Sequence, residues 1–263
     1  MKNASTARFQ KLVWDYYHQH GRDLPWRHTS DPYKILVSEI MLQQTQVNRV
    51  IDKYLEFLNK FPSLNALSVA SPEQVLRVWQ GMGYNRRAIY LQRIAQEVMG
   101  TFHGAIPKDI ELLNSLPGIG PATARSIFVF SWNMPEAFIE TNVRRVFIHH
   151  FFTDESKVDD KAILPLVRET LDLKKPRDWY YALMDYGSYL TTQIINPNRR
   201  SKHYAKQSKF EGSDRQIRGL VLKKLLSGSD LSKLNINPIR LQRVLKSLIK
   251  DGLIKKNGEI YTL

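Results

Sequence analysis

The chain has 263 residues, 43% of them hydrophobic and 11% aromatic, enough for a sizeable core and more than one domain. Its 39 Lys and Arg outweigh 25 Asp and Glu by 14 charges, a field that draws polyanions; with no long apolar span, nucleic acid is the expected partner and a membrane is not. Cysteine is absent, which excludes disulfides, thiolate zinc sites and cysteine-held iron–sulfur clusters, so neither metal nor cofactor is expected.

The opening stretch, MKNASTARFQKLVWDYY, is amphipathic and lacks the apolar core of a secretory signal, so a cytoplasmic protein is expected. Apolar residues then recur at helical spacing, at Ile35, Leu36, Ile40, Leu42 and Val47 and again at Val75, Leu76, Val78 and Trp79. Ser71-Pro72-Glu73 and Pro107-Lys108-Asp109 carry helix-starting chemistry. Alternating strand patterns are nearly absent, so residues 1–195 are predicted to form a mainly α domain of many short helices.

Residues 196–213, NPNRRSKHYAKQSKFEGS, read as a basic linker or loosely packed arm. From Asn196 onward there are 16 Lys or Arg against 5 Asp or Glu, so 11 of the 14 net charges lie in the last quarter, where phosphate contact is expected. Residues 214–263 are predicted to be a small winged-helix-like domain. Its elements are a helix over 214–226, a short one near Leu231, a third over 238–250 closed by Asp251-Gly252, and two short strands around Asn257-Gly258. Arg240, Arg243, Lys246 and Lys250 on the third helix suit a DNA groove, with Lys255-Lys256 against the backbone; packing on neighbours or on a protein is the alternative.

The most diagnostic stretch is Leu116-Pro117-Gly118-Ile119-Gly120-Pro121-Ala122-Thr123-Ala124. A hairpin between two helices with glycines at Gly118 and Gly120 lets backbone amides meet a phosphate, and the positive end of the next helix, with Thr123 in its first turn, lies there. Such a hairpin anchors DNA without reading its sequence. Around it, in unbroken order, stand Leu24-Pro25-Trp26-Arg27, Asp31-Pro32-Tyr33-Lys34, Glu39-Ile40-Met41-Leu42-Gln43-Gln44-Thr45, Trp79-Gln80-Gly81-Met82-Gly83-Tyr84, Asn142-Val143-Arg144-Arg145-Val146 and Met184-Asp185-Tyr186-Gly187. Over residues 8 to about 195 this resembles the MutY branch of the endonuclease III-like helix-hairpin-helix DNA glycosylases. The resemblance implies base-excision repair: a base flipped out of double-stranded DNA and hydrolysed from its sugar.

Cleaving an N-glycosidic bond requires the leaving base to be neutralised and an oxocarbenium-like sugar to be stabilised, so an acid and a carboxylate are both needed at the nucleotide. Glu39 lies between Val37 and Ile40 in an apolar helical stretch, where desolvation would raise its pKa and suit it to donate a proton. Taken without its neighbours it would read as an exposed helix residue; by the resemblance it protonates a purine ring nitrogen. Where the family has Asp before Gly-Asn-Val, this chain has Glu140-Thr141-Asn142-Val143. An ångström of displacement at such a site costs about a hundredfold in rate, yet Glu140 is still assigned the sugar charge, with Asn142 orienting it or the water. Ala122 stands where bifunctional relatives carry a Schiff-base lysine, so a monofunctional enzyme leaving an intact abasic site is expected.

By the same resemblance, Leu24, Trp26 and Arg27 surround the extruded base and Asp185 contacts its edge, with core packing the alternative for Trp26. Gln43 or Gln44 fills the vacated stack while Met82 and Tyr84 wedge beside the partner base, Gln44 and Tyr84 being the preferred pair. Thr191, Asn198, Ser201 and Gln207 occupy the spacing of the family's four cluster cysteines, so a clusterless variant is implied, with Arg199, Arg200, Lys202 and Lys206 left to contact phosphates. Glu39 favours adenine opposite 8-oxoguanine or guanine, and hypoxanthine after it. Thymine or uracil opposite guanine, and a non-enzymatic DNA-binding protein, are the alternatives; the protein is expected to act as a monomer.

Overall fold

The computed structural model describes residues 2–231, 234–258 and 260–263. Among these the chain is mainly helical, with α1 (Lys2–His20), α2 (Pro32–Leu42), α3 (Val47–Lys60), α4 (Leu64–Ser68), α5 (Pro72–Val78), α6 (Arg86–Thr101), α7 (Ile110–Ser115), α8 (Pro121–Trp132), α9 (Thr141–Phe151), α10 (Asp160–Thr170), α11 (Pro176–Gln193), α12 (Asp214–Leu226) and α13 (Pro238–Lys250). Short 3-10 turns occupy Pro25–Arg27 and Pro197–Arg200, and strands β1 (Lys255–Asn257) and β2 (Ile260–Thr262) close the chain.

The helices begin where the local chemistry starts them. Ser71 and Gln74 form a reciprocal capping box with Pro72 in the first turn of α5, and the Asp109 side chain accepts from Leu112 N at 2.9 Å ahead of α7. Ser213 and Asn237 cap α12 and α13 in the same way.

The chain divides into two compact units that do not follow chain order: Met1–Ile35, Lys108–Asn114 and Gly120–Lys206 form one, and Leu36–Pro107, Ser115–Ile119 and Gln207–Leu263 the other. The first is built on α1, α9, α10 and α11 around an aromatic core. Phe9 meets Phe147 edge-on at 5.4 Å, and Phe138 stacks on Tyr180 at 4.0 Å. In the second, Trp79 packs edge-on to Phe57 at 6.0 Å over a core including Val50, Leu91, Ile94 and Val98.

The C-terminal residues are grouped with this second unit. Arg77 donates to Leu226 O at 3.1 Å, and Asp251 accepts from Arg86 at 3.2 Å and Arg218 at 2.6 Å. Ile217, Val221, Leu222, Val244, Leu245, Leu248, Leu253 and Ile254 are buried, and β1 pairs antiparallel with β2 in the register Lys255↔Thr262, Lys256↔Tyr261, Asn257↔Ile260. The short helix expected near Leu231 falls on residues 232 and 233, outside the described residues.

The expected loose arm begins tightly docked instead. Asn198 and Ser201 are buried, and Ser201 forms a parallel bridge with Val158 through Val158 N→Arg200 O at 2.7 Å and Lys202 N→Val158 O at 2.9 Å. Backbone groups leaving water here find partners in the chain, which fixes the path of residues 197–202.

Candidate active site

In the first unit, Glu140 is the N-cap of α9. One carboxylate oxygen accepts from Asn142 N at 2.6 Å and Val143 N at 2.7 Å, the other from Asn142 Nδ2 at 3.2 Å. The glutamate's longer side chain thus folds back on its own helix, with the positive helix end beneath it. Burial pushes the Glu140 carboxyl up, opposed by those two N–H groups and by Arg145 and Arg144.

Three residues hold this corner: Arg145 and Gly187, which the sequence motifs contain without a role, and Tyr180, which they do not contain. Arg145 donates to Asn142 Oδ1 at 2.6 Å, Gly187 O at 2.7 Å and Asn196 Oδ1 at 3.2 Å. Tyr180 accepts from Phe138 N at 3.0 Å and donates to Glu136 O at 2.9 Å, pinning the segment that enters Glu140. Gly187 is a glycine because α11 meets α9 there: a Cβ would lie 2.6 Å from Asn142 O and 2.8 Å from Asn142 Cβ.

Leu24, Trp26, Arg27 and Asp185 lie in this same unit. Trp26, at 4% exposure, and Leu24 are both buried, so the indole face is covered by protein. Asp185, at 2% exposure, has both oxygens engaged: Arg27 Nη1 and Nη2 at 2.8 and 2.7 Å, Arg22 N and Nε at 2.8 and 2.7 Å. Burial alone would push the Asp185 carboxyl up; Arg27 and Arg22 outweigh it and hold it below its ordinary value. Arg27 also lies 4.5 Å from the Tyr181 ring centroid, and its buried Nε has no hydrogen-bond partner among the described residues. Asp185 therefore sets the pose of Arg27, with Arg22 an unforeseen third member.

The hairpin lies between α7 and α8. Gly118 has φ +77°, and a Cβ there would sit 2.3 Å from Tyr90 Cδ2, so both conformation and space demand glycine. Gly120, the N-cap of α8, instead has nothing within 4 Å of a built Cβ, leaving its backbone open to close approach. Thr123 is half-buried in the first turn of α8, and Ala122 is exposed.

In the second unit, Glu39 is half-buried on α2, flanked by buried Val37, Ser38, Ile40 and Met41. Gln44 is exposed with φ +53° and Tyr84, at 38% exposure, has φ +46°. Side chains held in this left-handed region cost about 1–3 kcal/mol each, and such strain gathers at working sites. Gln43 is half-buried, and Met82, at 3% exposure, lies in the core below its loop, away from the surface where a wedge would act. The Tyr84 hydroxyl accepts from Gln207 Nε2 and from Arg215 Nη1, the latter at 3.0 Å.

The four positions spaced like cluster ligands do not fit an iron–sulfur cluster. None is a thiol, and each is engaged otherwise: Thr191 donates to Ser188 O, Asn198 to Thr141 O and Gln207 to Tyr84, while Ser201 Oγ accepts from His203 N. Arg200, expected on a phosphate, is turned inward because the end of α9 leaves carbonyls that need donors. Its guanidinium donates to Phe152 O, to Thr153 O at 2.9 Å, Glu155 O at 3.2 Å and Ile148 O at 3.1 Å. Lys202 pairs with Asp159 at 3.2 Å, and Arg199 is exposed.

The helix-hairpin-helix arrangement defines a class of DNA repair protein, and residues 37–167 match the HhH-GPD superfamily of base excision DNA repair proteins. The chain is 30% identical to the adenine DNA glycosylase of Mycolicibacterium smegmatis over 97% of this chain and 94% of that one. It is 34% identical to the adenine DNA glycosylase of Buchnera aphidicola over 78% of this chain and 66% of the other, and 36% identical to the thymine/uracil-DNA glycosylase of Pyrobaculum aerophilum over 71% and 84%. A solved thermostable thymine-DNA glycosylase superposes with TM-score 0.64 at 25% identity, covering 71% of this chain and 88% of that one. An endonuclease III–DNA complex, at TM-score 0.59 and 16% identity over 70% and 86%, shares the fold. The chain belongs to the HhH-GPD superfamily, as a MutY-like member of its adenine DNA glycosylase branch.

Proposed function

We propose that the protein is a monofunctional DNA glycosylase that removes adenine mispaired with 8-oxoguanine or guanine, acting on double-stranded DNA as a monomer and without a cofactor. Residue 39 carries this reading: a carboxylic acid on a helix stretch whose neighbours are buried, in a chain aligned over nearly its whole length with proteins named adenine DNA glycosylases. A purine leaving group needs a proton that a pyrimidine does not take at the same place. Glu39 gives its proton to N7 as the C1′–N9 bond breaks and its electron pair leaves with the base. The Glu140 carboxylate offsets the positive sugar, and a water oriented by Asn142 adds its oxygen to C1′. The proton that water releases restores the acid by way of solvent.

The exposed cations Lys246 and Lys250 of the winged-helix-like C-terminal region are suited to phosphates. Since Glu140 must be ionised and burial pushes its carboxyl above the ordinary glutamate value, activity should rise as pH climbs through a value higher than that range. The test is a panel of labelled duplexes carrying adenine, hypoxanthine, thymine or uracil opposite guanine and 8-oxoguanine. Adenine release revealed only after alkali is expected, and Glu39→Gln should lower it by at least about a thousandfold. The Pyrobaculum relative favours a second reading, thymine or uracil opposite guanine, which the same panel would reveal by release of those bases instead.

A further inference from the structure

Arg87, in the first turn of α6, is a buried cation at 7% exposure with no carboxylate partner among the described residues. Its Nη1 donates to Ile40 O at 2.8 Å, Met41 O at 2.9 Å and Gln43 O at 2.5 Å. Nη2 donates to Thr45 Oγ1 at 2.9 Å, Gly83 O at 3.3 Å and Met82 O at 3.5 Å. The guanidinium lies 5.3 Å from the Trp79 ring centroid and 5.5 Å from that of Tyr84. One side chain therefore grips the end of α2 on both sides of Gln44 and, at the same time, the backbone just before Tyr84. Those two residues are the non-glycine positions in these loops with left-handed backbone.

We infer that Arg87 is a positioning residue that locks the loops of Gln44 and Tyr84 into the shape that enters the duplex, so that base extrusion depends on it. Only a planar fork with donors on both ends spans two loops at once; a lysine ammonium, with three donors at one point, reaches one of them. The strain at Gln44 and Tyr84 persists because the clamp over-determines the backbone around them. This inference rests on the DNA-repair reading above, but it concerns extrusion and is read without bond cleavage.

The experiment places 2-aminopurine, which brightens when unstacked, at the target position opposite guanine, and measures its fluorescence on saturating the duplex with full-length wild type, Arg87→Lys and Arg87→Met. Wild type should give a clear rise, and both variants should lose most of it. Single-turnover adenine release should fall about thirtyfold from a mispair, but less than about threefold from a duplex whose adenine faces an abasic analogue and needs no displacement from a pair. The pH profile should keep its shape, which separates lost extrusion from damage to Glu39. Thr45→Val, which removes one acceptor and leaves the arginine, covers the case in which the Arg87 variants fail to fold; it should lose about threefold to tenfold on the mispair alone. Equal loss on both substrates, full fluorescence with Arg87→Lys, or no rise with wild type would overturn the inference. A wild-type rise without base release would instead sink the glycosylase reading and leave the clamp standing.

Discussion

Two buried charges organise two regions of this molecule, and they are satisfied in opposite ways. Asp185 is a carboxylate met by two guanidiniums, Arg27 and Arg22. Arg87 is a guanidinium met by backbone carbonyls and the Thr45 hydroxyl. An ion held by opposite ions depends on protonation, and it fixes side chains. An ion held by dipoles depends on where the backbone runs, and it fixes loops. The Asp185 region is thus locked by charge and the Arg87 region by shape, which suits a set pose of Arg27 in one and strained loop tips in the other.

The largest expected effect is that of Asp185→Asn, which leaves Arg27 buried without its counter-charge. Thermal unfolding should show a loss of about 3–5 kcal/mol, or about 10 °C in melting temperature. A loss near zero would mean that the pair is not held as described. The acid side sharpens the contrast. Because the Asp185 pKa is depressed below 3.8, its contribution is present above that value and lost as pH falls through the folded pKa. The variant should therefore have a flatter acid limb than wild type between about pH 5 and pH 2.

Arg87→Lys comes next, at about 2 kcal/mol of stability. Burial lowers the Arg87 pKa to about 10 from its ordinary value, so the unfolded chain holds that proton more tightly and a pH slope arises only above about 10. Denaturant midpoints of Arg87→Met, whose side chain does not titrate, should accordingly fall by the same amount at pH 5 and at pH 9. A deficit confined to one end of that range would show that Arg87 is paired with a titrating group after all. The smallest effect separates the two adjacent arginines of the basic segment. Arg199→Ala should reduce the slope of log affinity against log salt by about one, and Arg200→Ala should leave it unchanged while costing about 1 kcal/mol of stability.

Much of this was legible in the residues, and what was not has a physical cause. The hairpin glycines, the helix starts at Ser71 and Asp109, and the order of helices are encoded within a few residues, and they appear where local chemistry places them. Met82 and Arg200 were misplaced because their surroundings come from chain far away: the sequence says "exposed loop" and "cation", whereas burial and the open carbonyls of α9 say otherwise. Asp185 carries no local sign that two arginines about 160 positions earlier will claim both its oxygens. Arg87 did leave a trace. It is in phase with Leu91, Ile94, Ala95 and Val98 on the buried stripe of α6, whereas Arg86, one residue out of phase, reaches Asp251 and the Tyr90 ring. A charged residue on an apolar stripe is the signal that could have found it.

The hydroxyl of Tyr84 ends in the hands of Gln207 and Arg215. Shortening the protein at residue 206 would therefore do more than strip away positive charge, since the phenol would lose both donors that steady its tip. Fluorotyrosine introduced at this position would turn the aromatic ring into a resonance reporting on a segment more than a hundred residues downstream, whether or not DNA is present.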